Sequence, residues 1–237
     1  MKRHLPNILT CFNLLTGTVA ILLALRDQIE IASLLLILAA IFDFLDGFSA
    51  RLLNAQSVIG PDLDSLADLV SFGVAPAMIV LVWSESCFLN LPPYLQTDWI
   101  YFLRYIIFLN PILAAVRLAK FNHDERQKEA FIGLATPANA FFLGFIPYAA
   151  EELTLLGNYW VVLSVTLIFS LLLVANIQMF SLKFTNFRFK ENLIRYIFLF
   201  LSLILLILFR LGSFPVIILM YILLSFGIRV FQPINRS

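Results

Sequence analysis

Charged side chains are scarce in this 237-residue chain, at 13%, where a soluble domain carries about 25%. That shortage excludes an ordinary water-soluble globule. The formal net charge is only +1, so no field of one sign addresses nucleic acid. Cysteine occurs twice, as Cys11 and Cys87. The two lie far apart without metal-ligand spacing, and both read as small apolar side chains rather than a disulfide or redox pair. His4 and His123 stand alone, and with nitrogen and sulfur ligands this sparse a zinc centre is not expected. No low-complexity tract, internal repeat or soluble domain stands out. What fills the chain is apolar: 61% hydrophobic residues with 24 phenylalanines, and a mean hydropathy of +0.94. These are the numbers of an integral membrane protein.

Apolar runs lie at about 8–25, 29–53, 62–84, 99–121, 136–151, 159–180, 192–210 and 214–230. Each approaches the ~20 residues that cross a bilayer as a helix. The fold class expected is all-α, a polytopic membrane bundle of about eight transmembrane helices. It reads as one membrane domain over 1–237, with a catalytic part in 5–145 and additional C-terminal helices in 155–232. The fifth run is short and carries Pro137 and Pro147. The first is too long for the core of a signal peptide, of about 7–15 residues, and leads into Arg26-Asp27-Gln28 with no cleavage site.

Lysine and arginine set the orientation. Lys2 and Arg3, then Arg117, Lys120, Arg126 and Lys128, then Lys183, Arg188, Lys190 and Arg195, and finally Arg229 and Arg236 all fall on one side of an eight-helix alternation. Only Arg26, Arg104 and Arg210 fall on the other, and Ser84 to Asp98 has no lysine or arginine. Both termini and the acidic segment described next are therefore expected at the cytoplasmic face of the cell membrane.

Against this background residues 43–68 are anomalous. Asp43 and Asp46 are three apart, and Asp64 and Asp68 are four apart. Each pair shares one face if helical, and Gly60-Pro61 breaks the chain between them. The simplest geometry is two helices joined by a turn, with both pairs facing one space. Gly47 and Ala50 remove bulk beside the acids and let a ligand or helix approach. Carboxylates at membrane depth mark function by default. Four together repel unless hard cations join them, and an all-oxygen ligand set favours magnesium, calcium or manganese. Two such ions make a clamp for phosphoryl displacement, and Arg51 is placed to fork onto a phosphate oxygen.

The full pattern is Asp-x2-Asp-Gly-x2-Ala-Arg-x8-Gly-x3-Asp-x3-Asp. Eight fixed residues, each near one in twenty, match by chance on the order of once in 10^10 windows. The pattern resembles the signature of the CDP-alcohol phosphotransferase family, which moves a phospho-lipid or phospho-alcohol group from a CDP-linked donor to an alcohol and releases CMP. The resemblance implies that Asp43, Asp46, Asp64 and Asp68 hold two divalent cations, Mg2+ or Mn2+, and that Asp68 takes the proton of the attacking hydroxyl. It implies CDP contacts at Asn7, Thr10, Asp46, Gly47, Ala50, Arg51 and Ser57, since Pro6-Asn7-Ile-Leu-Thr10 is similar to the family's nucleotide-contacting entry segment.

The flanks narrow the branch. Leu63-Asp-Ser-Leu-Ala-Asp-Leu-Val-Ser-Phe-Gly-Val-Ala-Pro76 is similar to the phosphatidylserine synthase branch, as are Arg117-Leu-Ala-Lys120-Phe-Asn122 and Phe131-Ile-Gly133-Leu-Ala-Thr136-Pro137-Ala-Asn139. That branch often has arginine where Lys120 stands. The resemblance implies CDP-diacylglycerol and L-serine as substrates among membrane lipids, a homodimer, and no nucleic acid partner. Arg117, Lys120 and Asn122 become candidates for the serine carboxylate or a donor phosphate.

Plainer readings stand beside these. Asp62 fits a helix cap, and Arg51 a snorkelling cation. Arg117 and Lys120 fit the positive-inside bias. Asn122, Thr136 and Asn139 fit loop and cap chemistry, and Ser57 fits a turn. Other acceptors are glycerol 3-phosphate, an inositol compound or an amino alcohol. A divalent-cation transporter is the distant alternative, though transporters spread acids over several helices within inverted repeats.

Overall fold

A computed structural model describes residues 4–53, 57–123, 131–179, 188 and 192–231. Of the cations used to orient the chain, Lys2, Arg3, Arg126, Lys128, Lys183, Lys190 and Arg236 lie outside the described residues. The described part is a helical bundle. Helix α1 spans Leu5–Leu25 and α2 spans Ile29–Leu52. Gly60 to Leu89 is one continuous rod made of α3 (Gly60–Asp68), a π-helical turn (Leu69–Val74) and α4 (Ala75–Leu89). A second composite rod joins α5 (Asp98–Leu103), a 3-10 stretch (Arg104–Phe108) and α6 (Leu109–His123). Then come α7 (Thr136–Gly144), α8 (Ile146–Glu152), α9 (Tyr159–Val174), α10 (Leu193–Phe209) and α11 (Ser213–Phe231).

Among the described residues, five stretches are long and apolar enough to cross a membrane: Leu5–Leu25, Ile29–Leu52, Gly60–Leu89, Asp98–Asn122 and Leu193–Gly227. The last comprises α10 and α11, which fold back on each other at Arg210, where φ is +48°. Phe198 and Tyr221 meet across this hairpin with ring centroids 6.1 Å apart. Helix α9 is shorter, and the fifth run of the sequence is broken at Phe145 into α7 and α8, with Pro147 in the first turn of α8.

The sixth run ends earlier than its hydropathy indicates. Ala175 leaves the helical region at ψ 138°, and Gln178–Met179 pairs antiparallel with Phe131–Ile132. This two-residue ladder is the one departure from helix among the described elements. Gly133, at φ +78°, makes the turn beside it, and a Cβ there would lie 2.5 Å from the Leu173 carbonyl oxygen.

Small residues decide where helices touch. The buried stripe of α1 is Pro6, Thr10, Asn13, Thr16, Gly17, Ala20 and Ala24, which follows the 3.6-residue period. Its alanines pack with Ala32, Leu36, Ala75 and Ile79. Gly17 seats directly on the π-helical turn: a Cβ there would lie 2.7 Å from Ser71 Cα. Helix α6 packs on the same turn from the other side and on α9. Asn110 donates to the Gly73 carbonyl at 3.0 Å and accepts from Asn139 at 2.8 Å and Ser170 at 3.3 Å. One buried carboxamide thus ties α7 and α9 to the turn. At the far end of the rods Arg104, buried among aromatics, pairs with Glu85 at 3.1 Å and lies 4.2 Å from the Tyr101 ring centroid. That partner offsets the charge of a buried arginine.

Replacing Gly17 by leucine should overpack the α1 contact and destabilise the fold by about 1–3 kcal/mol. The check is a fall in the thermal midpoint of the detergent-solubilised protein. The same change at Gly227, which has open space around it, should leave the midpoint where it was.

Candidate active site

The site forms where α1, the end of α2 and the start of the Gly60–Leu89 rod converge. Asp43 and Asp46 are carried by the last turns of α2, and Asp64 and Asp68 by α3. Pro61 in the first turn starts α3 without wasting a backbone donor. The α-helical spacing then brings Asp64 and Asp68 to one face. Carboxylate oxygens of Asp43, Asp64 and Asp68 all lie within 4.8 Å of one another. One oxygen of Asp64, Oδ1, is buried without a hydrogen-bond partner. Three half-buried carboxylates this close, one with an orphaned oxygen, fit a hard divalent cation, which takes oxygen ligands and offsets their repulsion.

Asp46 stands beside that cluster and belongs to a different surface. It is 6% exposed, and its Oδ2 accepts a 2.6 Å hydrogen bond from Thr10 Oγ1. A cavity of about 470 Å³ opens here, with Asn7, Thr10, Asp46, Gly47, Ala50 and Ser57 in its wall. Asn7 and Ser57, expected as nucleotide contacts, bond each other at 3.2 Å and join the start of α1 to the turn before α3. Pro6, Gly60, Pro61, Asp64 and Phe121 complete the wall together with Asn122. Arg51 is exposed at the end of α2, its guanidinium 4.0 Å from where a Gly47 Cβ would sit.

The three residues considered for serine or phosphate are not brought together. Asn122 borders the cavity and donates to Ser65 Oγ at 2.9 Å. Lys120 is exposed. Arg117 is 7% exposed, donates to Thr136 Oγ1 at 2.9 Å, and keeps its Nε without a partner. It lies within electrostatic reach of Asp68, although Arg104–Glu85 is the ion pair formed among the described residues. Thr136 and Asn139 are fully buried rather than loop residues.

One contact was not foreseen. Asn13, fully buried on α1, donates from Nδ2 to Asp68 Oδ1 at 3.2 Å. Its position one turn after Thr10, on the same stripe, is the signal that would have found it.

Residues 3–173 match the CDP-alcohol phosphatidyltransferase family. The chain is 36% identical over 163 residues to a CDP-diacylglycerol–serine O-phosphatidyltransferase of Mycobacterium leprae, covering 66% of this chain and 50% of that protein. It is 34% identical over 153 residues to the protein of that name from Bacillus subtilis, covering 64% and 80%. An archaetidylserine synthase of Methanothermobacter thermautotrophicus is 34% identical over 142 residues, covering 57% and 54%. The chain spans about half the length of the mycobacterial and archaeal relatives. A match over this much of the sequence means that the chain belongs to the CDP-alcohol phosphatidyltransferase family.

Asparagine in place of Asp43, Asp64 or Asp68 should each weaken Mn2+ binding by about tenfold or more, read by equilibrium binding to the purified protein. Asp62→Asn, at an exposed position of the first turn of α3, should leave the affinity unchanged.

Proposed function

We propose that this protein transfers a phosphatidyl group from CDP-diacylglycerol to the hydroxyl of L-serine, giving phosphatidylserine and CMP. The observation that carries the reading is the meeting of Asp43, Asp64 and Asp68 within 4.8 Å beside a cavity of about 470 Å³ walled by Asn7, Thr10, Asp46, Gly47, Ala50 and Ser57. A cation cluster next to a slot of nucleotide size is what displacement at a diphosphate needs. The serine acceptor draws support from the printed names of the bacterial and archaeal relatives.

In this mechanism the cytidine and its phosphate occupy the cavity, with Arg51 at its rim on the diphosphate. The acyl chains stay in the bilayer between helices. Asp43, Asp64 and Asp68, with Asp46 beside them for a second ion, would hold divalent cations, Mg2+ or Mn2+, and those ions would supply charge neutralisation to the reaction. Asp68 receives the proton of the serine hydroxyl as its oxygen forms a bond to the lipid-side phosphorus. The phosphoanhydride bond to CMP breaks, and CMP leaves with the bonding electrons. Arg117, buried with a free Nε–H near Asp68, is the group we assign to the serine carboxylate or a donor phosphate. Lys120 is exposed and Asn122 sits in the cavity wall, so each takes an outer part.

The orientation follows the cation bias read from the sequence. Eight crossings put both termini and the acid cluster at the cytoplasmic face of the cell membrane, where serine and CTP-derived nucleotides are soluble. The catalytic part then lies within 5–145, the helices in 155–232 are an addition to it, and the working form is a homodimer.

The test is CMP release by the full chain in mixed micelles with CDP-diacylglycerol, Mn2+ and one acceptor at a time: serine, glycerol 3-phosphate, inositol or an amino alcohol. Turnover with serine is expected to exceed the others. A preference for another alcohol overturns the acceptor, and ion flux into liposomes without CMP release overturns the class. Asp68→Asn should lower kcat by about 10^2–10^4 at unchanged protein level, and robust turnover by that variant removes the base assignment.

A further inference from the structure

Asn13 has no part in the scheme above, yet it makes the one side-chain hydrogen bond to Asp68 recorded among the described residues. We propose that Asn13 is a positioning residue for Asp68: its carboxamide holds Oδ1 and so fixes which carboxylate oxygen faces the cation cluster and the incoming hydroxyl. The inference rests on the reading of Asp68 as the proton acceptor, and it concerns how that carboxylate is aimed.

The geometry leaves the bond little slack. Nδ2 donates to Oδ1 at 3.2 Å, and the Asn13 side chain is fully buried. The backbone on both sides is clamped. The Asn13 carbonyl accepts from Ser71 Oγ at 2.9 Å, and Ser71 lies one turn beyond Asp68. Gly17, one turn further along α1, abuts Ser71 Cα. Helix α1 is therefore pinned to the Asp68 segment at two successive turns, and of the two polar ends of the carboxamide Nδ2 is engaged while Asn13 Oδ1 is buried without a hydrogen-bond partner. Asp68 also opens the π-helical turn Leu69–Val74, and such wide turns re-aim side chains at functional sites. A carboxylate on a χ1–χ2 stem swings freely unless something holds one oxygen. Among the described residues Arg117 makes no ion pair with it, which leaves Asn13 as the holder. With Oδ1 engaged, Oδ2 is the oxygen presented to the reaction.

The assignment separates Asn13 from Thr10. Thr10 holds Asp46, in the wall of the nucleotide cavity, whereas Asn13 is absent from that wall. Loss of the Asn13 amide should therefore damage the transfer step and spare the binding of CDP-diacylglycerol, a split that a general loosening of α1 would not give.

The experiment compares wild type with Asn13→Ala, using the full chain in mixed micelles. With whichever acceptor wild type uses, N13A should lose about tenfold or more in kcat while KM for CDP-diacylglycerol stays within about twofold. Mn2+ binding, measured without substrates, should weaken by about threefold or more because Asp68 no longer presents one oxygen. A kcat within about twofold of wild type, or equal losses in kcat and in CDP-diacylglycerol affinity, overturns the proposal. Should N13A not be recovered folded, Asn13→Leu keeps the branched shape without the donor and is judged by the same criteria. If wild type itself turns over no acceptor, the proposed function fails. The Mn2+ comparison then still decides, weakened binding supporting the positioning role and equal binding overturning it.

Discussion

The constraint on which this structure depends is the cost of gathering acids inside an apolar helical bundle. On insertion scales a single aspartate at the centre of a membrane helix costs roughly 2.5–3.5 kcal/mol, and like charges at contact add repulsion. Asp43, Asp64 and Asp68 nevertheless present oxygens within 4.8 Å of one another. Packing alone would push them apart, so the surroundings must hold them. Donors on α1 engage Asp46 and Asp68, and the small residues Gly17, Ala20 and Ala24 let α1 come close enough to do so. The carboxamide of Asn110 ties down the Gly73 carbonyl within the π-helical turn that follows Asp68. Asp43 and Asp46 lie in the last three turns of α2 and Asp64 and Asp68 in the nine-residue α3, and Asp46 and Asp64 open on the cavity.

What the chain declares in its order is what is periodic. Asp43 and Asp46, and Asp64 and Asp68, are spaced for one helix face, and Gly60-Pro61 punctuates them, so the facing of α2 and α3 was legible without coordinates. So was the helical, membrane-embedded class, because 61% hydrophobic residues leave few alternatives. Asn7, Thr10, Gly47, Ala50 and Ser57 came from likeness to a family, and they meet in one cavity wall. The remainder depends on contacts between distant segments. Asn13 sits in an apolar run far upstream of the acids, and nothing local marks its partner. The end of α9 at Val174 is set by pairing of Gln178–Met179 with Phe131–Ile132, which hydropathy does not register. Arg117, Lys120 and Asn122 were likewise grouped by likeness to the phosphatidylserine synthase branch. Here one is buried, one exposed and one in the cavity wall, because burial along α6 is set by what packs on each position rather than by order in the chain.

Helices α10 and α11 lie beyond the part that matches the family, which ends at residue 173. Their roles differ. Helix α10 turns a broad face of large aliphatics outward, with Leu203, Ile207 and Leu208 more than half exposed, as a lipid-facing helix does. Helix α11 packs inward. Phe214 stacks on Phe141 and Phe145 at 5.3 and 4.5 Å, and Ile222 belongs to the main core. Through α7 this places α11 behind Thr136 and Asn139, the residues that hold Arg117 and Asn110. The hairpin thus buttresses α7, whose Thr136 accepts from Arg117.

Helix α1 does more than cross the membrane. Thr10 and Asn13, one turn apart on a single stripe, bond carboxylates carried by two different helices: Asp46 on α2 and Asp68 on α3. The first of those acids lines the cavity and the second belongs to the acid cluster. A strut between them fixes the distance from the cavity to the cluster. Sliding α1 along its axis by even part of a turn would strain both bonds together, and the Gly17–Ser71 contact opposes such a slide. Cavity and acid cluster are held in register by one helix whose own sequence carries no acid.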